Sequence, residues 1–137
     1  MQGKTRIRVR YQETDQMGMA YHGNYVVWME VGRTELFRHE GMPYKEFEDE
    51  GVMLPVIEAG CTYKIPIKYD ELITVETHIS EMTPVRVRCD YRIFNQEGTE
   101  AARGFTCHAF VNRQGRPVNA AKKIPQLFHK LEDVLRG

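Results

Sequence analysis

A chain of 137 residues is long enough to bury one core and short for two, so a single domain over residues 1–137 is expected. Its 19 Lys and Arg match its 19 Asp and Glu. That balance excludes the global charge bias of a nucleic-acid or anionic-membrane binder, and an anionic ligand must be met by a local cluster. No apolar run approaches the length of a membrane span, and the start MQGKTRIRVR lacks the apolar segment of a secretory signal, which predicts a soluble cytoplasmic protein without membrane insertion.

Arg6 to Tyr11 alternate, with Ile7, Val9 and Tyr11 on one face and Arg6, Arg8 and Arg10 on a solvated other: a half-buried strand. A loop follows, carrying Asp15, Met17-Gly18-Met19 and Tyr21-His22-Gly23-Asn24. Asn24 is the expected N-cap, Gly23 lets the chain turn tightly, and a helix should run to about His39 before Gly41 and Pro43 stop it. Tyr25, Trp28, Met29, Gly32 and Leu36 share a helical stripe, and Val26, Val27, Val31 and Phe37 widen it, which predicts a helix buried on most sides. Gly32 costs about 1 kcal/mol of helix propensity relative to Ala, so close approach to another backbone is expected there. Glu30 and Arg33, one turn apart, are expected to form a structural ion pair.

Pro43 to Glu50 reads as a short helix. From Val52 the pattern is extended, with prolines that suit an edge or a bend. Three clearer strands come next. Ile73, Val75, Thr77 and Ile79 alternate with polar residues; so do Val85, Val87, Cys89, Tyr91 and Ile93; and Phe105, Cys107, Ala109 and Val111 oppose Thr106, His108 and Phe110. Short turns at Asn95–Gly98 and Asn112–Gly115 argue for antiparallel pairing. Pro125 opens a last amphipathic helix with Leu127, Phe128, Leu131 and Leu135 on one side. The order predicts an α+β domain in which a curled antiparallel β-sheet wraps one long helix.

The chemistry concentrates between Tyr11 and Glu35. A carboxylate, Asp15, stands just before a helix whose first N–H groups attract negative charge. Asp15 directing a nucleophile while those N–H groups hold an oxyanion is an acyl-transfer arrangement. The plainer reading of Asp15 is a loop aspartate that caps a turn. His39, His78, His108 and His129 have no HxH or HxxxH spacing, so no metal is expected. Ser80, the sole serine, lacks a GxSxG turn. Cys61, Cys89 and Cys107 are odd in number and far apart, which suits buried reduced thiols.

The strand ending Arg8-Val9-Arg10-Tyr11, then Glu13-Thr14-Asp15, Gly18, Tyr21-His22-Gly23-Asn24-Tyr25 and the helix residues Trp28, Glu30, Arg33 and Glu35 resemble the hotdog-fold acyl-CoA thioesterases of the 4-hydroxybenzoyl-CoA thioesterase family. The resemblance extends less specifically to Arg116-Pro117 and Lys123-Ile124-Pro125. It implies hydrolysis of an acyl-CoA to a carboxylic acid and coenzyme A, with no cofactor or metal. Asp15 stands where the family has its catalytic acid, as nucleophile or general base. The N–H groups around His22, Gly23 and Asn24 stand where the family polarises the carbonyl. Tyr21, Tyr25 and Arg88 are the candidate substrate-binding residues, Arg88 for the phosphates. The His22 ring either assists a proton transfer or only packs at the turn. Where the hydroxybenzoyl branch has Tyr-Pro-Asn, this chain has His22-Gly23-Asn24, which looks more like the branch associated with short acyl chains and the Tol-Pal envelope system. The family also implies a homo-oligomer, a dimer or tetramer, with the pocket between chains. A hotdog enoyl-thioester hydratase and a non-catalytic acyl-thioester-binding regulator are the alternatives.

Overall fold

Arg86–Phe94 has the plainest alternation in the chain, and it forms the central strand of the sheet. The computed structural model describes residues 3–137, so the first two residues of the opening stretch lie outside it. Val87, Cys89, Tyr91 and Ile93 face the core, while Arg88, Asp90 and Arg92 are half-buried on the other side. Strands β1 (Gly3–Arg8), β2 (Val56–Tyr63), β3 (Leu72–Met82), β4 (Arg86–Phe94) and β5 (Glu100–Ala109) pair antiparallel in the order β1-β3-β4-β5-β2. The β4 to β5 turn closes because Asn95 Oδ1 accepts the N–H groups of Glu97 and Thr99, at 3.1 and 2.9 Å.

Helix α1 (Asn24–His39) lies against the inner face of this sheet. Trp28, Met29, Leu36 and Phe37 are almost wholly buried along it. A Cβ at Gly32 would stand 2.6 Å from Thr77 Oγ1 and 2.8 Å from Val75 Cγ1. The close approach expected at Gly32 therefore exists, but it is to side chains of β3 rather than to another backbone. Helices α2 (Tyr44–Asp49), α3 (Ala120–Lys123) and α4 (Pro125–Arg136) complete the fold, with Leu127 and Leu131 buried and Leu135 exposed. The alternation reading misses α3, a single turn begun by the Asn119 side chain, which accepts the Lys122 N–H at 3.1 Å. Among the described residues no helix is long and apolar enough to cross a membrane.

Four expectations are corrected. The first strand ends at Arg8, because residues 11–13 wind into a 3-10 turn that leaves Tyr11 75% exposed. Asn24 is not the N-cap of α1. Gly23 holds that position, with helical φ −62° and ψ −22°, and no side chain caps the helix. The helix is also not buried on most sides, since one sheet covers one side: Val26, Val27 and Val31 remain 42%, 49% and 36% exposed. Lastly, Arg33 turns inward to the phenols of Tyr44 and Tyr91, at 2.6 and 3.0 Å, while Glu30 stays exposed, so the expected ion pair does not form.

Candidate active site

Residues 13–21 fold into a small hairpin whose tip carries Asp15. Asp15 N–H donates to Met19 O at 2.8 Å, Tyr21 N–H donates to Glu13 O at 2.8 Å, and Thr14 and Ala20 bridge between them. The tip is a four-residue turn from Asp15 to Gly18, where Gly18 takes the positive φ of 77°. Asp15 Oδ1 accepts the N–H groups of Met17 and Met19, at 2.8 and 3.2 Å. The capping role of a turn aspartate is thus realised. Oδ2 has no partner among the described residues, and the side chain is exposed. Capping locks the carboxylate in one orientation and leaves one oxygen for chemistry.

The return limb of the hairpin runs directly into α1. Asn24 N–H closes a turn onto Tyr21 O at 3.0 Å and Tyr25 N–H onto His22 O at 3.2 Å. The Asn24 side chain donates to Glu13 O at 2.7 Å and to Tyr21 O at 3.2 Å. The N–H groups of His22 and Gly23 make no hydrogen bond among the described residues. Asn24 N–H is therefore committed, and the donors open at the positive end of a sixteen-residue helix include those of His22 and Gly23.

Aromatic rings surround this helix start. The exposed His22 ring tilts against Tyr21 with centroids 4.3 Å apart and meets Tyr63 edge-on at 6.5 Å. Tyr25 is buried between Trp28 and Tyr63, at 4.9 and 4.8 Å, and burial pushes its phenol up to about 12. Tyr21 is thus placed at the mouth of the region, and Tyr25 beneath it.

Arg88 is elsewhere. It lies over the Phe105 ring at 4.3 Å, pairs with Asp90 at 3.1 Å, and lines a cavity of about 460 Å³ with Arg92 and Arg103 on the outer face of the sheet. Another cavity, of about 420 Å³, lies between α2 and α4. Neither cavity is lined by Asp15, His22 or Gly23, so the Asp15 region of a single chain is an open lip.

The cysteines are free, and burial pushes the Cys89 thiol up to about 12 and raises that of Cys61, so neither offers a thiolate near neutral pH. Sequence reasoning missed two buried polar groups. Glu13 stands under the hairpin, and its carboxylate accepts the Trp28 indole N–H at 3.0 Å. Arg33 heads a hydrogen-bond chain through Tyr91 and Thr106 to His108. Nothing in the periodicity marks either; an arginine on an apolar stripe is a hint for Arg33, and Glu13, between Gln12 and Thr14, has none.

Residues 9–134 match the thioesterase-like superfamily. YneP of Bacillus subtilis (strain 168), provisionally named an acyl-CoA thioesterase, is 39% identical over 89% of this chain and 89% of its own. The acyl-CoA thioester hydrolase YbgC of Escherichia coli O157:H7 is 32% identical over 68% of this chain and 69% of its own. Among solved structures, the DHNA-CoA thioesterase of Staphylococcus aureus superposes with a TM-score of 0.94 at 32% identity, covering 98% of this chain and 91% of that one.

Proposed function

We propose a site and a course for the reaction from one premise: the chain belongs to the thioesterase-like superfamily, has the hotdog fold and is an acyl-CoA thioesterase. The thioester carbonyl sits at the start of α1, its oxygen accepting from the N–H groups of Gly23 and His22. Negative charge that develops on that oxygen meets two fixed donors and the helix dipole, and a single donor of this kind contributes roughly 10²–10³ in rate.

Asp15 works on the carbonyl carbon. Two courses share this geometry. In one, the carboxylate attacks the carbon, coenzyme A leaves as thiolate, and water hydrolyses the resulting anhydride. In the other, the carboxylate takes a proton from a water that attacks directly. Either way the C–S bond breaks, one water is consumed, and the products are a carboxylic acid and coenzyme A. Tyr21 flanks the acyl group over the buried Tyr25 ring, and Arg88, on the outer face of the sheet, meets the coenzyme A phosphates where a second copy brings that face to the lip.

The observation that carries this reading is the pair of uncommitted N–H groups at His22 and Gly23, on the hairpin whose tip holds Asp15 with one oxygen free. The exposed lip around Asp15, the bare valines of α1 and the exposed Val56 and Ile57 on edge strand β2 support a second copy closing the pocket. We therefore infer a homodimer or homotetramer. Thiol release from short, long and aromatic acyl-CoAs identifies the acyl group, and the same assay on Asp15→Asn tests the site. A fall in kcat of roughly 10³ is expected; wild-type turnover removes Asp15 from the mechanism.

A further inference from the structure

Glu13 is 5% exposed, and it is bonded to every part that builds the lip. Oε1 accepts the Arg10 N–H at 2.8 Å and lies 3.6 Å from Arg10 Nε; Oε2 accepts the Trp28 indole N–H at 3.0 Å. Its backbone oxygen accepts the Tyr21 N–H at 2.8 Å and the Asn24 amide at 2.7 Å. One residue thereby joins the exit of β1, the return limb of the hairpin, the first residue of α1 and a side chain one turn further along that helix. A buried carboxylate is an expensive way to hold a loop, since its desolvation is offset only by well-aligned bonds. What such bonds add over an apolar contact is direction and fixed distance.

We propose that Glu13 is a positioning residue for thioester hydrolysis. Its carboxylate, locked between the Arg10 N–H and the Trp28 indole, fixes where Asp15 at the hairpin tip stands relative to the His22 and Gly23 N–H groups. The proposal rests on the reading of Asp15 and the α1 start as the site.

Glu13→Gln keeps the size of the side chain but puts an amide donor against one of two donors. Trp28 is the sole tryptophan, so the single indole N–H resonance in a proton–nitrogen spectrum reports the link independently of activity. In Glu13→Gln that resonance shifts and exchanges faster, kcat falls roughly 10- to 100-fold because a displacement of about 1 Å suffices for that, KM barely moves, and the melting temperature falls by roughly 3 to 10 °C, which leaves the chain folded in the assay. Trp28→Phe removes the donor from the other side and gives the same loss in kcat, and the double variant is no worse than the poorer single one. Wild-type kcat in Glu13→Gln with the resonance displaced overturns the proposal. So does a chain that fails to fold, or a loss of kcat that follows the melting temperature and vanishes on cooling, because each makes the role structural. Asp15→Asn assayed alongside separates the two failures. Full turnover there overturns the site and the positioning role together, whereas a dead Asp15→Asn beside an unimpaired Glu13→Gln overturns the positioning role alone.

Discussion

Thr106 Oγ1 lies 2.7 Å from His108 Nε2 in a fully buried part of β5, and that contact has only one arrangement of protons. His108 Nδ1 faces the Leu54 carbonyl oxygen at 3.1 Å, which can only accept, so the proton of the neutral ring is on Nδ1. Nε2 then accepts from the Thr106 hydroxyl, Thr106 accepts from Tyr91 at 2.7 Å, and Tyr91 accepts from Arg33 at 3.0 Å. A second proton on His108 would leave one hydroxyl hydrogen of the chain, that of Thr106 or of Tyr91, without a partner. Burial, then the Arg33 charge, lowers the His108 pKa from 6.5 to about 4.

The pH dependence of stability follows with a definite sign. The unfolded imidazole takes its proton near pH 6.5 and the folded one only near 4, so the unfolded state binds more protons between them. Stability is whole above pH 6.5 and is lost as the pH falls toward 4. Arg103, then Lys64 and Arg92, hold the Glu100 carboxyl well below the usual carboxylate range, and that contribution is lost only below pH 4.5. Denaturant titrations at pH 7 and 4.5 should therefore differ by roughly 2 to 3 kcal/mol in wild type. In His108→Gln the difference should shrink to a small fraction of that.

Gly32→Ala tests the seating of α1 on β3. The substitution gains about 1 kcal/mol of helix propensity but drives a methyl to within 2.6 Å of Thr77 Oγ1 and 2.8 Å of Val75 Cγ1. Overpacking of a rigid core costs about 1 to 3 kcal/mol, so the net effect is a loss of roughly 0 to 2 kcal/mol. Adding Thr77→Ala, which also removes a buried hydroxyl with no partner among the described residues, should return part of it. Chemical denaturation of the double-mutant cycle measures the coupling.

Strand and helix identities were legible because β3, β4 and α1 each bury one side, which leaves a period in the chain. Edge strand β2 leaves none: its residues are exposed or half-buried throughout, and only prolines nearby hinted at an edge. The Asp15 loop and the helix start could be read from residue types at short spacing. Glu13 could not, because its partner Trp28 is fifteen residues away across a hairpin and their meeting depends on how the loop folds back. The inward turn of Arg33 was hidden for a similar reason: Glu30, one helical turn away, was the nearer partner in sequence, whereas Tyr44 and Tyr91 lie on other elements.

Arg88→Glu tests the phosphate assignment. Reversal beside Asp90 should raise the KM for acyl-CoA and weaken inhibition by free coenzyme A about tenfold at low salt, with kcat retained and the effect fading as salt is added. Unchanged inhibition at low salt leaves Arg88 as an ordinary surface ion pair.

Val27→Asp tests the assembly. Val27 is exposed in the single chain, so a charge there should not unfold it. Sedimentation should nonetheless show a smaller species, and thiol release should fall with the loss of the larger one. A fully active monomer contradicts a pocket shared between copies.

The central claim is that the carbonyl oxygen is held by backbone N–H at the start of α1, and Gly23 permits a direct measurement of it. Placing glycolic acid at position 23 by cell-free translation turns the amide into an ester, which removes the N–H donor and leaves the helical φ of −62° and ψ of −22° accessible, whereas proline at the third position of the Tyr21–Asn24 turn would displace His22. Gly23→Ala keeps the donor and presses only on the exposed Tyr21 ring at 3.0 Å. Measured by thiol release, kcat should fall roughly 10²- to 10³-fold in the ester variant and less than tenfold in Gly23→Ala. Equal turnover in the two variants would contradict the account.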